Sequence, residues 1–81
     1  MSQTTTIGWA VKQLWDGREV RRAGWNGKNM ALFLVNDEVH RGKTGVCQAL
    51  PYVMMRTVTG AVVPWLCSQT DLLAIDWEFA E

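Results

Sequence analysis

Pro51-Tyr52-Val53-Met54-Met55-Arg56-Thr57-Val58-Thr59-Gly60-Ala61-Val62-Val63-Pro64-Trp65 decides the fold. Two runs rich in β-branched, aromatic and sulfur side chains flank Thr59-Gly60, and a turn dipeptide between runs of strand length predicts a β-hairpin. Upstream, Met30-Ala31-Leu32-Phe33-Leu34-Val35 is a continuous apolar run that stops at Asn36-Asp37, and it reads as a central strand. Downstream, Asp76-Trp77-Glu78-Phe79 alternates polar and aromatic side chains, the period of a half-buried final strand.

Helices are expected at two places. Thr4-Thr5-Thr6 precedes Ile7, Ala10, Val11, Leu14 and Trp15, the stripe of an amphipathic helix opened by a threonine N-cap. Gly17, after Asp16, suits the left-handed residue that ends such a helix, and Glu19-Val20-Arg21-Arg22 resumes as a short extended piece. Ser68 followed by Gln69-Thr70-Asp71 approaches the capping-box pattern and opens a short second helix through Leu72, Leu73 and Ala74. Residues 36–50, mostly polar, read as a loop or mobile insertion that includes His40 and Arg41. The fold class predicted is α+β: one domain over residues 1–81, a small antiparallel sheet flanked by two short helices, assembling as a homo-oligomer.

Self-association is expected from size. A chain of 81 residues buries roughly 60% of its unfolded surface and has no room for a second core. Five Trp, two Phe and one Tyr are many for such a chain, and subunit contacts would supply burial that a monomer lacks. Eight basic residues balance eight acidic ones, which argues against binding of DNA or RNA along its length, because backbone phosphates call for a net basic face. Arg18, Arg21, Arg22 and Lys28 form the one local basic concentration, suited to a compact phosphorylated ligand or to plain solvation.

Cys47 and Cys67 are twenty residues apart with no C-x-x-C pair, so neither a zinc site nor any other metal or cofactor is expected. Both are read as reduced, buried small hydrophobes. The polar, uncharged start from Met1 to Thr6 does not resemble a secretory leader, and no apolar run is long enough for a membrane span; a cytoplasmic location is expected.

Two segments concentrate binding chemistry: Arg22-Ala23-Gly24-Trp25-Asn26-Gly27-Lys28 and Val63-Pro64-Trp65-Leu66-Cys67-Ser68-Gln69-Thr70-Asp71. Trp25, flanked by glycines in a predicted tight turn, offers a stacking face, and Asn26 can read a base edge or serve the turn. Arg22 can grip a pyrophosphate through two parallel bonds, and Lys28 can add a point charge. Thr70 and Asp71 place a hydroxyl and a carboxylate at a helix start, where Ser68 reads first as the cap. Tyr52 completes the candidate ligand-binding set of Arg22, Trp25, Asn26, Lys28, Tyr52, Thr70 and Asp71. Trp9, Trp15, Trp65 and Trp77 are assigned to core or interface. Met30, Met54 and Met55 are read as core filler. His40 is the single histidine, with no nucleophile near it in sequence, so no catalytic residue is assigned and an enzyme is not expected.

The chain resembles the Thoeris anti-defence 2 family of small phage and prophage proteins. The likeness rests on Gly17-Arg18-Glu19-Val20, on Arg22-x-Gly24-Trp25-Asn26-Gly27-Lys28, on the run ending Phe33-Leu34-Val35 and on Pro51-Tyr52 before the hairpin. Its most specific part is Val63-Pro64-Trp65-Leu66-x-Ser68-Gln69-Thr70-Asp71-x-Leu73-Ala74-x-Asp76-Trp77. The resemblance implies a sponge: a homotetramer with pockets between subunits that holds cyclic ADP-ribose-type signals, and in some members cyclic dinucleotides, without cleaving them. Residues 36–50 do not follow the family pattern closely, which bears on which cyclic nucleotide fits. The alternative is a protein-interaction module acting through exposed Trp and apolar surface on a host or phage protein.

Overall fold

A computed structural model describes residues 4–25, 29–36 and 50–80. In chain order the elements are α1 (Ile7–Trp15), β1 (Val20–Arg22), β2 (Ala31–Val35), β3 (Tyr52–Arg56), β4 (Val62–Pro64), α2 (Gln69–Leu72) and β5 (Trp77–Phe79). The five strands form one antiparallel sheet in the order β4-β3-β2-β1-β5. The fold is α+β. The apolar run 31–35 is the middle strand, and the hairpin forms with β3 and β4 as neighbours. At its turn the Gly60 amide donates to the Thr57 carbonyl at 2.9 Å, and Gly60 takes a φ of 91° that a side chain would resist.

One cross-strand row locates the core. Phe79, Val20, Leu32, Met55 and Val63 stand opposite one another across all five strands, so their side chains share a face. Val20 and Leu32, in the middle of the row, are fully buried. Above them lies α1, whose Ala10 and Leu14 are buried one helical turn apart, and Trp77 and Ala74 close the cluster. Removing a side chain such as Leu32 from water stabilises the fold by about 1.5–3 kcal/mol.

The C-terminus of α1 is built as expected. Gly17, at φ 86°, donates its amide to the Leu14 carbonyl at 3.0 Å, and the Arg18 amide donates to the Gln13 carbonyl at 3.0 Å. These two bonds are the Schellman pattern, which satisfies carbonyls left without helical partners. The N-terminus departs from expectation. Thr6 occupies the cap position in extended backbone, but its hydroxyl makes no capping bond. The hydroxyl in use is that of Thr5, which donates to the Trp77 carbonyl, while the Trp77 amide donates to the Thr5 carbonyl at 3.3 Å. A parallel β-bridge from Thr5 to Asp76, just before β5, has drawn this segment away from plain capping.

The apolar stripe of α1 is narrower than its sequence suggests. Val11 and Trp15 are exposed, Trp15 by 57%. The buried line of this nine-residue helix is Ala10 and Leu14, with Ile7 and Trp9 packed against the same core, and Val11 and Trp15, one step further round, point outward. Trp15 therefore lies outside this chain's own core. The second helix is a single turn of four residues with no buried member.

Both helices lie on the face that carries Val20, Leu32 and Trp77; no described helix covers the other face. That second face holds an ion pair that spans two strands. Arg56 on β3 donates from Nη2 to Glu19 Oε1 at 2.8 Å and from Nε to the Asn29 carbonyl at 2.9 Å. To reach Glu19, just before β1, it must cross β2, where the side chain opposite Arg56 is the fully buried Ala31. A larger residue at Ala31 would block the crossing. Arg21 and Glu78 form a further pair at 2.8 Å on the same face.

Candidate functional site

The two segments rich in binding chemistry meet at one end of the core-bearing face. Strand β1 delivers Arg22, and the chain turns at once, the Trp25 amide donating to the Arg22 carbonyl at 3.1 Å. This turn brings the Trp25 indole back over the sheet. Its ring meets that of Trp77 edge to face, with centroids 5.7 Å apart and planes at 77°. Trp65, just beyond β4, meets Trp77 in the same manner at 6.0 Å and 89°. Trp77 is thus a buried post with two half-buried tryptophans against it. Each such contact contributes about 0.5–1.5 kcal/mol beyond area burial. The Trp77 indole N–H donates to the Asp71 carbonyl at 3.3 Å, so its polar atom is satisfied.

Arg22 sits beside this aromatic group, held by two carboxylates. Its Nε donates to Asp76 Oδ1 and its Nη1 to Asp71 Oδ1, each at 2.9 Å. Asp71 is the better buried partner, with 14% of its side chain exposed against 36% for Asp76. The hydrogen bonds to Asp76 and then to Asp71 raise the guanidinium pKa above its already high ordinary value. The same contact, chiefly the hydrogen bond from Arg22, holds the Asp76 carboxyl below the usual carboxylate range. Taken together the three side chains carry one more negative charge than positive.

Ser68 caps α2 as expected, its Oγ accepting from the Asp71 amide at 3.2 Å. The Asp71 carboxylate accepts from Arg22, so the capping box is half realised and its acid serves a tertiary contact. Thr70 Oγ1 lies 3.0 Å from Ser68 Oγ on the exposed rim of the same turn. Of the predicted set, then, Arg22, Trp25, Thr70 and Asp71 gather around Trp77 and α2. Tyr52 stands elsewhere, at the start of β3 opposite Val35, on the face that bears the Arg56 crossing. Asn26 and Lys28, like His40, Arg41 and Cys47, lie outside the described residues.

Cys67 corrects an expectation. It is exposed, because the segment between β4 and α2 runs along the surface. Its thiol pKa is raised, first by partial desolvation and then by the Asp71 carboxylate, which keeps it a poor thiolate. Asp76 is the residue that sequence reasoning passed over as a member of the site. Only the pairing of β5 with β1 brings it to Arg22, across fifty-four residues of chain. Among the described residues no group of three or more His, Cys, Asp or Glu could hold a metal ion, and no helix is long and apolar enough to cross a membrane.

The molecule is therefore a small α+β protein whose candidate site is an aromatic cluster framed by a bridged arginine. Residues 5–80 match the family model described as Thoeris anti-defense 2-like domain. The chain is also 33% identical over 86 residues to Thoeris anti-defense 2 of Bacillus phage SP01, the match covering 96% of this chain and 97% of that protein. The chain belongs to the Thoeris anti-defense 2-like family, and so to the phage anti-defense proteins.

Proposed function

We propose that this protein is a sponge, which captures a cyclic nucleotide immune signal in the host cytoplasm and holds it uncleaved. The signal class is cyclic ADP-ribose isomers such as gcADPR, with cyclic dinucleotides as a second class. The observation that carries this reading is family membership over residues 5–80 combined with the position of Trp25, half-buried at the end of a turn and edge to face with Trp77, whose indole N–H is bonded to the turn that bears Ser68, Thr70 and Asp71. Base stacking suits such an indole, and Thr70, Asn26 and Lys28 supply hydrogen-bonding and charge chemistry for ribose, base and phosphate, to which Tyr52, on the other face of the sheet, would add its hydroxyl only from a second subunit. Capture lowers the free signal in proportion to sites present, so affinity and slow release decide its effect and turnover is unnecessary.

Assembly into a homo-oligomer, in the simplest form a tetramer, is part of the proposal. Leu66, Leu73 and Ile75 are exposed by 90%, 74% and 60% around α2, beside the candidate site. Apolar side chains concentrated so near a site favour a second subunit over open water. The same surface favours, as a second reading, direct capture of a host or phage protein.

Titration calorimetry with a panel of cyclic ADP-ribose isomers and cyclic dinucleotides tests the reading, followed by chromatography of the ligand released on heating. Tight binding with intact ligand recovered is the expected result. An altered ligand would make this an enzyme, and no binding across the panel would leave the protein-capture reading. Trp25→Ala should weaken binding by about 1–3 kcal/mol, the range for loss of base stacking, while the oligomer keeps its size on light scattering. A change of oligomer size would move Trp25 to a subunit interface.

A further inference from the structure

We propose that Arg22 is a positioning residue for the aromatic site, acting through Asp71 and Asp76, rather than a contact to the ligand's phosphates. The inference rests on the sponge reading for its ligand but on geometry for its substance. An arginine that grips phosphate must present donors to it, and here two of the Arg22 nitrogens are given to two different carboxylates at 2.9 Å. The cluster's excess negative charge would repel an incoming phosphate. As a ligand clasp the arrangement is poor.

As a frame it is well placed. Asp76 immediately precedes β5, and Arg22 stands directly opposite Trp77 in the strand pairing. Asp71 belongs to α2, and its backbone carbonyl accepts the Trp77 indole N–H. The guanidinium therefore ties the segment from α2 to the start of β5 against β1, and that segment carries both the acceptor and the backbone that fix the Trp77 ring. Trp25 and Trp65 each meet this ring in edge-to-face contact. If Trp77 shifts or rotates, the two half-buried indoles lose the surface that sets their spacing. Arg22 is itself only 23% exposed in its side chain, as suits a tie more than a reaching arm.

Charge removal at Asp76 separates the two roles by sign. Asp76→Asn keeps the side chain's shape and weakens the tie, since a charge-assisted bond is about twice as strong as a neutral one. If Arg22 positions the site, gcADPR binds Asp76→Asn about three- to tenfold more weakly, the loss of the charge assistance in one bond. If Arg22 grips phosphate, the same substitution frees its guanidinium, removes a repelling charge, and tightens binding. Arg22→Gln should weaken binding at least as much, and the double variant should lose little more than Arg22→Gln alone, because both substitutions break one device.

The ligand-free readout is near-UV circular dichroism, which reports the mutual packing of the tryptophans. Both variants are expected to change the tryptophan bands while the far-UV spectrum is retained. Tighter binding by Asp76→Asn, additive losses in the double variant, or unaltered near-UV spectra in both single variants would overturn the proposal. Should the unsubstituted protein bind no cyclic nucleotide, the sponge reading fails on its own, and the near-UV spectra still decide whether Arg22 sets the aromatic cluster.

Discussion

The two edges of the sheet are protected by different means. At the β5 edge the outward backbone groups of Trp77 are taken by Thr5, and the Phe79 ring, though 37% exposed, is contacted by Trp9, 5.0 Å away edge to face, and by the Arg18 guanidinium 4.1 Å above it. At the β4 edge nothing described is laid over the strand, and Val62, Val63 and Pro64 are all exposed. The Thr57 amide donates to Ala61 and the Trp65 amide to Val53, so the alternation of an antiparallel ladder turns Val62 and Pro64 outward. Pro64 has no N–H to offer. One edge is closed by pairing and packing, and the other only loses one of its outward donors, at Pro64, which discourages strand addition without burying any apolar surface. The contrast teaches that folding energy is concentrated at the β1–β5 side, whereas the β3–β4 side and the chain after it keep apolar surface in reserve.

The strongest way to break that contrast is to remove the centre of the cross-strand row. Leu32→Ala should cost about 2–5 kcal/mol, the range for emptying a packed core position, read as a lowered urea midpoint with an unchanged slope. A loss below about 1 kcal/mol would mean that the site relaxes into the cavity and that the core is looser than its complete burial implies.

Much of this arrangement could be read in the chain, and the rest could not for physical reasons. The hairpin, the central strand, helix α1 with its Gly17 terminus and the final strand all follow from local periodicity and turn chemistry, and they stand where expected. Strand order is another matter: nothing local to Asp76-Trp77-Glu78-Phe79 says that it will pair with β1. The candidate site depends on that pairing. Ser68 was legible as a cap, but the use of the Asp71 carboxylate by Arg22 was hidden by the equally sound expectation of a capping box. Val11 and Trp15, both in the helical stripe, lie exposed in the single chain because a 3.6-residue period defines a stripe and says little about its width.

A milder test bears on the β5 side alone. Asp76 has a carboxyl pKa depressed in the folded protein, principally by its hydrogen bond from Arg22. The unfolded chain therefore takes up a proton more readily than the folded one in the window below the ordinary aspartate value of about 3.9. The stability that Asp76 contributes is complete above that window and is lost as pH falls through the lower, folded value. Unfolding midpoints measured from pH 5 downward should fall, and Asp76→Asn should flatten part of that slope while lowering stability at neutral pH. An identical slope in the variant would assign the acid sensitivity to other carboxylates and leave the Arg22 tie of small consequence for folding.

The smallest effect is expected where the surface is most open. Leu66, between β4 and α2, is 90% exposed and packs on nothing in this chain's core cluster. Within one chain, then, Leu66→Ser should change stability by no more than about 0.5 kcal/mol, as for other surface positions without a structural role. Measured at dilution sufficient to favour monomers, the urea midpoint should match that of the unsubstituted protein. Repeating the comparison at high protein concentration sharpens the contrast between the two sides of the sheet. An oligomer interface adds stability by mass action, so a deficit that appears only as concentration rises would locate Leu66 in a contact between copies. A deficit of several kcal/mol already present in the dilute protein would show instead that the β4 side carries folding energy of its own, and the division between a consolidated β1–β5 side and an apolar reserve beyond β4 would have to be abandoned.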